Sequence, residues 1–165
     1  MMNMKNSSTA PLLPACLLCL LALCTACTGG SITEKGQIEE QCDSFANYYF
    51  NWHFDKAMRF VTPESEKWLR FAASNVTEDD VAQLRAKDAD ATIEIEDVDL
   101  DDDDSTAHVT VKVVHFLQMD SIGQAAHLTE EGSFRLTLSK TQDEEDGTWK
   151  VRMEGLPRSG KKSHD

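Results

Sequence analysis

Positive charge is scarce in this 165-residue chain: 16 lysines and arginines stand against 29 aspartates and glutamates, a net charge of −13. Binding a nucleic-acid backbone requires clustered basic side chains that release counterions, so no nucleic-acid partner is expected. Long apolar runs are lacking too. The stretch Pro11–Leu23 has 13 residues and is broken at Pro14, whereas a helix needs ~20 to span a bilayer. Beyond residue 27 the only cysteine is Cys42, which excludes a disulfide framework there. No internal repeat is visible. Against these absences, 41% of residues are hydrophobic, enough for a core, so wholesale disorder is excluded. The length suits one domain.

Four of the five cysteines, Cys16, Cys19, Cys24 and Cys27, crowd into ACLLCLLALCTACTGG at residues 15–30. A polar start with Lys5, an apolar stretch and then small residues make the three-part layout of a secretory signal. A Cys-x-x-Cys metal or redox site needs thiolates on a folded scaffold, which such a segment lacks. Leu23-Cys24-Thr25-Ala26-Cys27 resembles the bacterial lipobox, with Cys24 where a leucine is usual. That resemblance implies a signal peptide over 1–26, lipid attachment at Cys27, and an anchor and tether over 27–35. It also implies residence in the cell envelope; Thr28, not Asp, after the anchor points to the outer membrane. Two or more acyl chains anchor stably where one does not.

The remainder divides by period. Residues 33–87 read as helical. Ile38, Cys42, Phe45, Tyr49 and Trp52 form one stripe, which predicts a buried Trp52 and an inert buried Cys42. Ser31-x-x-Glu34 is placed to cap that helix and Asp55 to cap a short one at 55–61. Thr62-Pro63-Glu64 starts a helix with Trp68, Leu69, Phe71 and Ala72. Thr77-Glu78-Asp79-Asp80 opens another with Val81 and Leu84. After Asp90 the period becomes two, predicting strands at 92–100, 106–118, 126–140 and 147–155. The simplest fold is α+β: N-terminal helices on one face of a curved four-stranded antiparallel meander. A flexible tail is expected over 157–165.

The order Tyr48-Tyr49-Phe50-Asn51-Trp52-His53-Phe54-Asp55-Lys56-Ala57, then Thr62-Pro63-Glu64, then a closing sheet resembles the nuclear-transport-factor-2-like superfamily, a cystatin-like α+β cone, most of all its small secreted lipoproteins. The resemblance covers the domain 36–156. It implies a cone that often holds a pocket. Here that pocket would draw on Tyr48, Tyr49, Trp52, His53, His115 and Glu130. Two functions follow. One is a non-catalytic binding domain for a small ligand or another envelope component. The other is a cone-pocket isomerase, dehydratase or hydrolase with His115 and Glu130 as acid and base. No complete nucleophile–base–orienter set is visible, which favours binding. No cofactor is expected, and the oligomeric state is not legible.

Two acidic stretches remain. Asp97, Asp99 and Asp101 have the first spacings of a calcium loop, but Asp102 and His108 occupy the positions of its glycine and its bidentate glutamate, so an EF-hand is excluded. In a meander the first and third turns share an end. Asp101, Asp102, Asp103 and Asp104 would then meet Asp143, Glu144, Glu145 and Asp146 as one negative tip, a solvated patch or a weak cation site.

Overall fold

The computed structural model describes residues 33–119, 125–141 and 147–160. Over these, helices precede strands: α1 (Glu34–Phe50), α2 (Phe54–Ala57), α3 (Glu66–Ser74) and α4 (Glu78–Ala86), then β1 (Thr92–Leu100), β2 (Thr106–Gln118), β3 (His127–Lys140) and β4 (Trp149–Arg152). The strands form one antiparallel sheet in the order β1-β2-β3-β4, and α1 packs across it. This is the α+β meander that the change of period implies, compatible with a cone. No helix among the described residues is long and apolar enough to cross a membrane.

In α1 the buried face is Ile38, Cys42, Phe45, Ala46 and Phe50. It meets Val109, Val111 and Val113 of β2, Phe134, Leu136 and Leu138 of β3, and Trp149 and Val151 of β4 in one core. Each large side chain removed from water contributes roughly 1.5–3 kcal/mol, so this seam dominates the fold's stabilisation. Thr33 caps α1, its hydroxyl accepting from the Gly36 N–H at 3.2 Å. The cap falls there rather than at Ser31, which lies outside the described residues.

The stripe does not continue to Trp52, because α1 stops at Phe50. Trp52 takes φ +63. Its N–H donates to Tyr49 O at 3.0 Å, and the His53 N–H donates to Tyr48 O at 2.8 Å. This pair of bonds is a Schellman closure, with tryptophan where glycine is usual. Trp52 is consequently half-buried rather than buried. The closure runs straight into α2, so His53, not Asp55, precedes that helix and offers its carbonyl to Lys56 and Ala57. Thr62 precedes a 3₁₀ turn, Pro63–Ser65, and its hydroxyl lies 2.8 Å from that of Ser65 rather than capping a backbone N–H.

The expected capping box at Thr77 forms in full, with Asp80 and Thr77 bonding reciprocally. Asp80 also reaches across the fold: its Oδ1 accepts from the Ala126 N–H at 2.7 Å, tying α4 to the start of β3.

The strands keep their alternation except in β1, in β2 and, opposite the latter, in β3, where Thr129 pairs with buried Phe116 and Glu130 is exposed. In β1 the register slips between Ile95 and Asp97. A bulge at Glu96 therefore lets Ile93, Ile95 and Val98 all pack towards the core. In β2, His115 takes φ +59, and Phe116 follows Val113 as the next buried position. β4 is shorter than expected. After Arg152 the Met153 N–H goes to Ser65 Oγ at 2.8 Å, which draws the chain off the ladder. The chain then returns, and Ser159 bridges Phe134. The segment 157–160, expected to be tail, thus has a partner on β3.

Candidate functional site

The inner end of the sheet is filled by rings. Phe50 lies 4.6 Å from Phe134 and 5.5 Å from Phe116, centroid to centroid. Tyr49 stacks on Phe45 at 5.5 Å and meets Phe54 edge-on at 5.6 Å. Trp52 covers the opening, its indole N–H donating to Leu117 O at 3.1 Å. The cavity left, lined by Tyr49, Trp52, Phe54, Met119 and Pro157 among others, is about 30 Å³. That admits water and little more. Burial pushes the Tyr49 hydroxyl well above its ordinary pKa, so it stays protonated.

The other residues expected at the pocket lie elsewhere. Tyr48 stacks on Phe60 at 5.7 Å and touches His53 edge-on at 6.5 Å. His53 is exposed and lines a groove beside α4 with Asn51 and Asp88. His115 and Glu130 do meet, with Nδ1 3.8 Å from Oε2, and Asp88 Oδ1 lies 3.1 Å from His115 Nε2. They meet on the outside, however. Strict alternation would aim both side chains inwards; the positive φ of His115 turns its ring out. Its partner carboxylates are 84% and 90% exposed. Solvent at that exposure screens the group, and no closed cleft surrounds it.

The first acidic stretch is a tight turn. Asp103 Oδ1 accepts from the N–H groups of Ser105 and Thr106 at 2.9 and 3.1 Å, and Asp104 adopts φ +51. The Ser105 N–H and the Ser105 hydroxyl, with lesser help from Thr106, hold the Asp103 carboxyl below the usual aspartate range against the opposing effect of desolvation. The Lys140 N–H donates to Ser105 O at 2.9 Å, so this turn does lie beside the entry to the third connection. Asp143, Glu144, Glu145 and Asp146 lie outside the described residues. Among the described residues no group of three or more His, Cys, Asp or Glu is placed to hold a metal ion.

A concavity that the strand pattern does not reveal lies between β3, the end of β4 and the segment after it. It measures about 460 Å³ and includes His108, Arg135, Arg152 and Arg158. Each of these residues is visible in the sequence, but only the pairing of strands brings them together.

No known family model matches the chain, and no curated protein is similar to it in sequence.

Proposed function

We propose that this is a lipid-anchored protein of the bacterial cell envelope. Its folded part, of the nuclear-transport-factor-2-like kind, binds a small ligand or another envelope component without catalysing a reaction. The reading of location rests on the residues around Cys27 and the resemblance of that segment to a lipobox. The reading of binding over catalysis is supported by one observation: the space between α1 and the sheet is packed with rings down to about 30 Å³, and the His115–Glu130 pair lies outside it. General acid–base catalysis needs a substrate held within reach of both groups, and Glu130, 84% exposed, closes no such site with His115.

Labelling cells with a radioactive fatty acid tests the anchor. The wild-type protein should carry label and sediment with membranes; Cys27→Ser should lose both. Label that survives the substitution, or a mature protein that retains Met1, overturns this reading.

A further inference from the structure

We propose that the groove walled by β3, the end of β4 and the returning segment 153–159 is a binding site for a phosphate group. This deepens the binding reading above and is independent of the anchor at Cys27.

The register builds the site. Asp99 pairs with His108, His108 with Thr137, and Thr137 with Arg152, one row across all four strands. Arg135 lies two residues before Thr137 and so shares its face of β3. Arg158 arrives by another route. The chain leaves the ladder at Met153 and is pinned back where Ser159 bridges Phe134 and the Gly160 N–H donates to Ser133 O at 2.9 Å. Three of the chain's six arginines thereby line one groove in a protein of net charge −13.

Their acidic neighbours leave them open. Arg135 lies 3.6 Å from Asp99, and Arg152 lies 3.8 Å from Glu154. Both separations exceed the ~2.7–2.9 Å of a charge-assisted hydrogen bond. The Arg135 and Arg152 side chains are 60% and 48% exposed. Glu154 is the one carboxylate in the lining. His108 is oriented by Thr137, whose hydroxyl oxygen is 3.1 Å from Nδ1, and its Nε2 lies 3.8 Å from Asp101. Guanidinium forks match tetrahedral and planar oxyanions. Three guanidinium forks offer more donors than the two oxygens of a carboxylate accept, and suit a phosphate. The groove is large enough for a small phosphate ester, within the ~300–1,000 Å³ usual for ligand sites.

Isothermal titration of the intact chain at fixed ionic strength, with sodium chloride as control, tests the proposal with two probes. One is inorganic phosphate. The other is glycerophosphoglycerol, the water-soluble headgroup of a phospholipid. Saturable heat from either supports the site. Preference for the first points to a soluble phosphate, and for the second to a lipid headgroup. Arg152→Gln and Arg158→Gln should each weaken binding about tenfold, and Glu154→Gln should strengthen it several-fold. Arg70→Gln, on α3, should change nothing. Thermal melts of each variant establish that it folds, and Arg152→Lys, which keeps the charge but not the fork, should weaken binding in part. Heats equal to the chloride control, or an unchanged affinity in the Arg152 and Arg158 variants, overturn the site. Such a result leaves the Cys27 anchor standing, since acylation is read separately.

Discussion

Asp80 of α4 accepts a 2.7 Å hydrogen bond from the backbone N–H of Ala126, 46 residues further along the chain. The carboxylate is 1% exposed. It also holds the Thr77 N–H and hydroxyl, both at 2.8 Å. Burial pushes its pKa up. The hydrogen bonds from the Thr77 N–H, the Ala126 N–H and the Thr77 hydroxyl together push it further down, leaving it below the ordinary value. Its stabilising contribution is therefore complete above the unfolded aspartate value of about 3.9, and fades as pH falls through the lower folded value. Asp80→Ala strands two backbone donors and should cost about 3 kcal/mol, from ~1–3 for each buried group left unsatisfied. Urea melts from pH 7 down to pH 2 should show that the variant has lost part of the acid dependence of the wild type.

At Trp52 the usual order of substitutions should reverse. Trp52→Ala and Trp52→Gly both lose the ring and its bond to Leu117 O. Only glycine tolerates φ +63 without strain. Trp52→Gly should therefore be the more stable of the two, by about 1 kcal/mol. Equilibrium denaturation of the pair decides it, and equal or reversed midpoints would show that the turn relaxes.

Gly132 lies under two rings. A methyl group there would fall 3.0 Å from Phe116 Cζ and 3.1 Å from Phe134 Cε2. Both rings are fixed by Phe50 and by each other. Gly132→Ala should cost about 1–3 kcal/mol by overpacking, despite alanine's lower backbone entropy. A melting temperature at or above wild type would mean that the rings shift cheaply.

Cys42 should be inert. It is fully buried, and burial, then the neighbouring Asp43 charge, pushes its thiol up to about 12. Iodoacetamide at pH 8 should leave the Cys42 peptide unmodified in the native protein and label it fully after unfolding. Native labelling at a comparable rate would contradict the core assigned to α1.

In the β1–β2 turn, the lowered pKa of Asp103 means that its hold on Ser105 and Thr106 persists below the usual aspartate titration and is lost only as pH falls through that lower value. The amide resonances of Ser105 and Thr106 should shift together in that range. In Asp103→Ala both amides should exchange faster with solvent at neutral pH.

The alternation of Val109, Val111 and Val113, and of Phe134, Leu136 and Leu138, made the sheet legible, with strand ends close to those observed. One irregularity left a trace: the apolar step widens from two to three between Ile95 and Val98, whereas apolar Val114 masks the change of phase between Val113 and Phe116. Extending a strict period of two from Val113 is what placed His115 inside, and extending it back along β3 from Phe134 is what placed Glu130 there. Trp52 misled for a related reason: one residue at positive φ ends a helix with no glycine to announce it. The bond from Ala126 to Asp80 and the gathering of Arg135, Arg152 and Arg158 depend on contacts distant in sequence, which no local pattern encodes.

A four-stranded open sheet has two edges at which a second molecule could add its own strand. On β4 the inner stretch is occupied, since Val61 bridges Val151 and the Thr62 N–H donates to Val151 O at 3.0 Å. Where β4 leaves, Ser159 takes over along β3. The β1 edge carries Glu94, Glu96, Asp97 and Asp99 and is kinked by its bulge. Like charges and an irregular ladder repel a neighbouring strand of the same kind. Copies of this domain crowded side by side therefore meet no flat template from which fibrous, strand-on-strand polymerisation could spread.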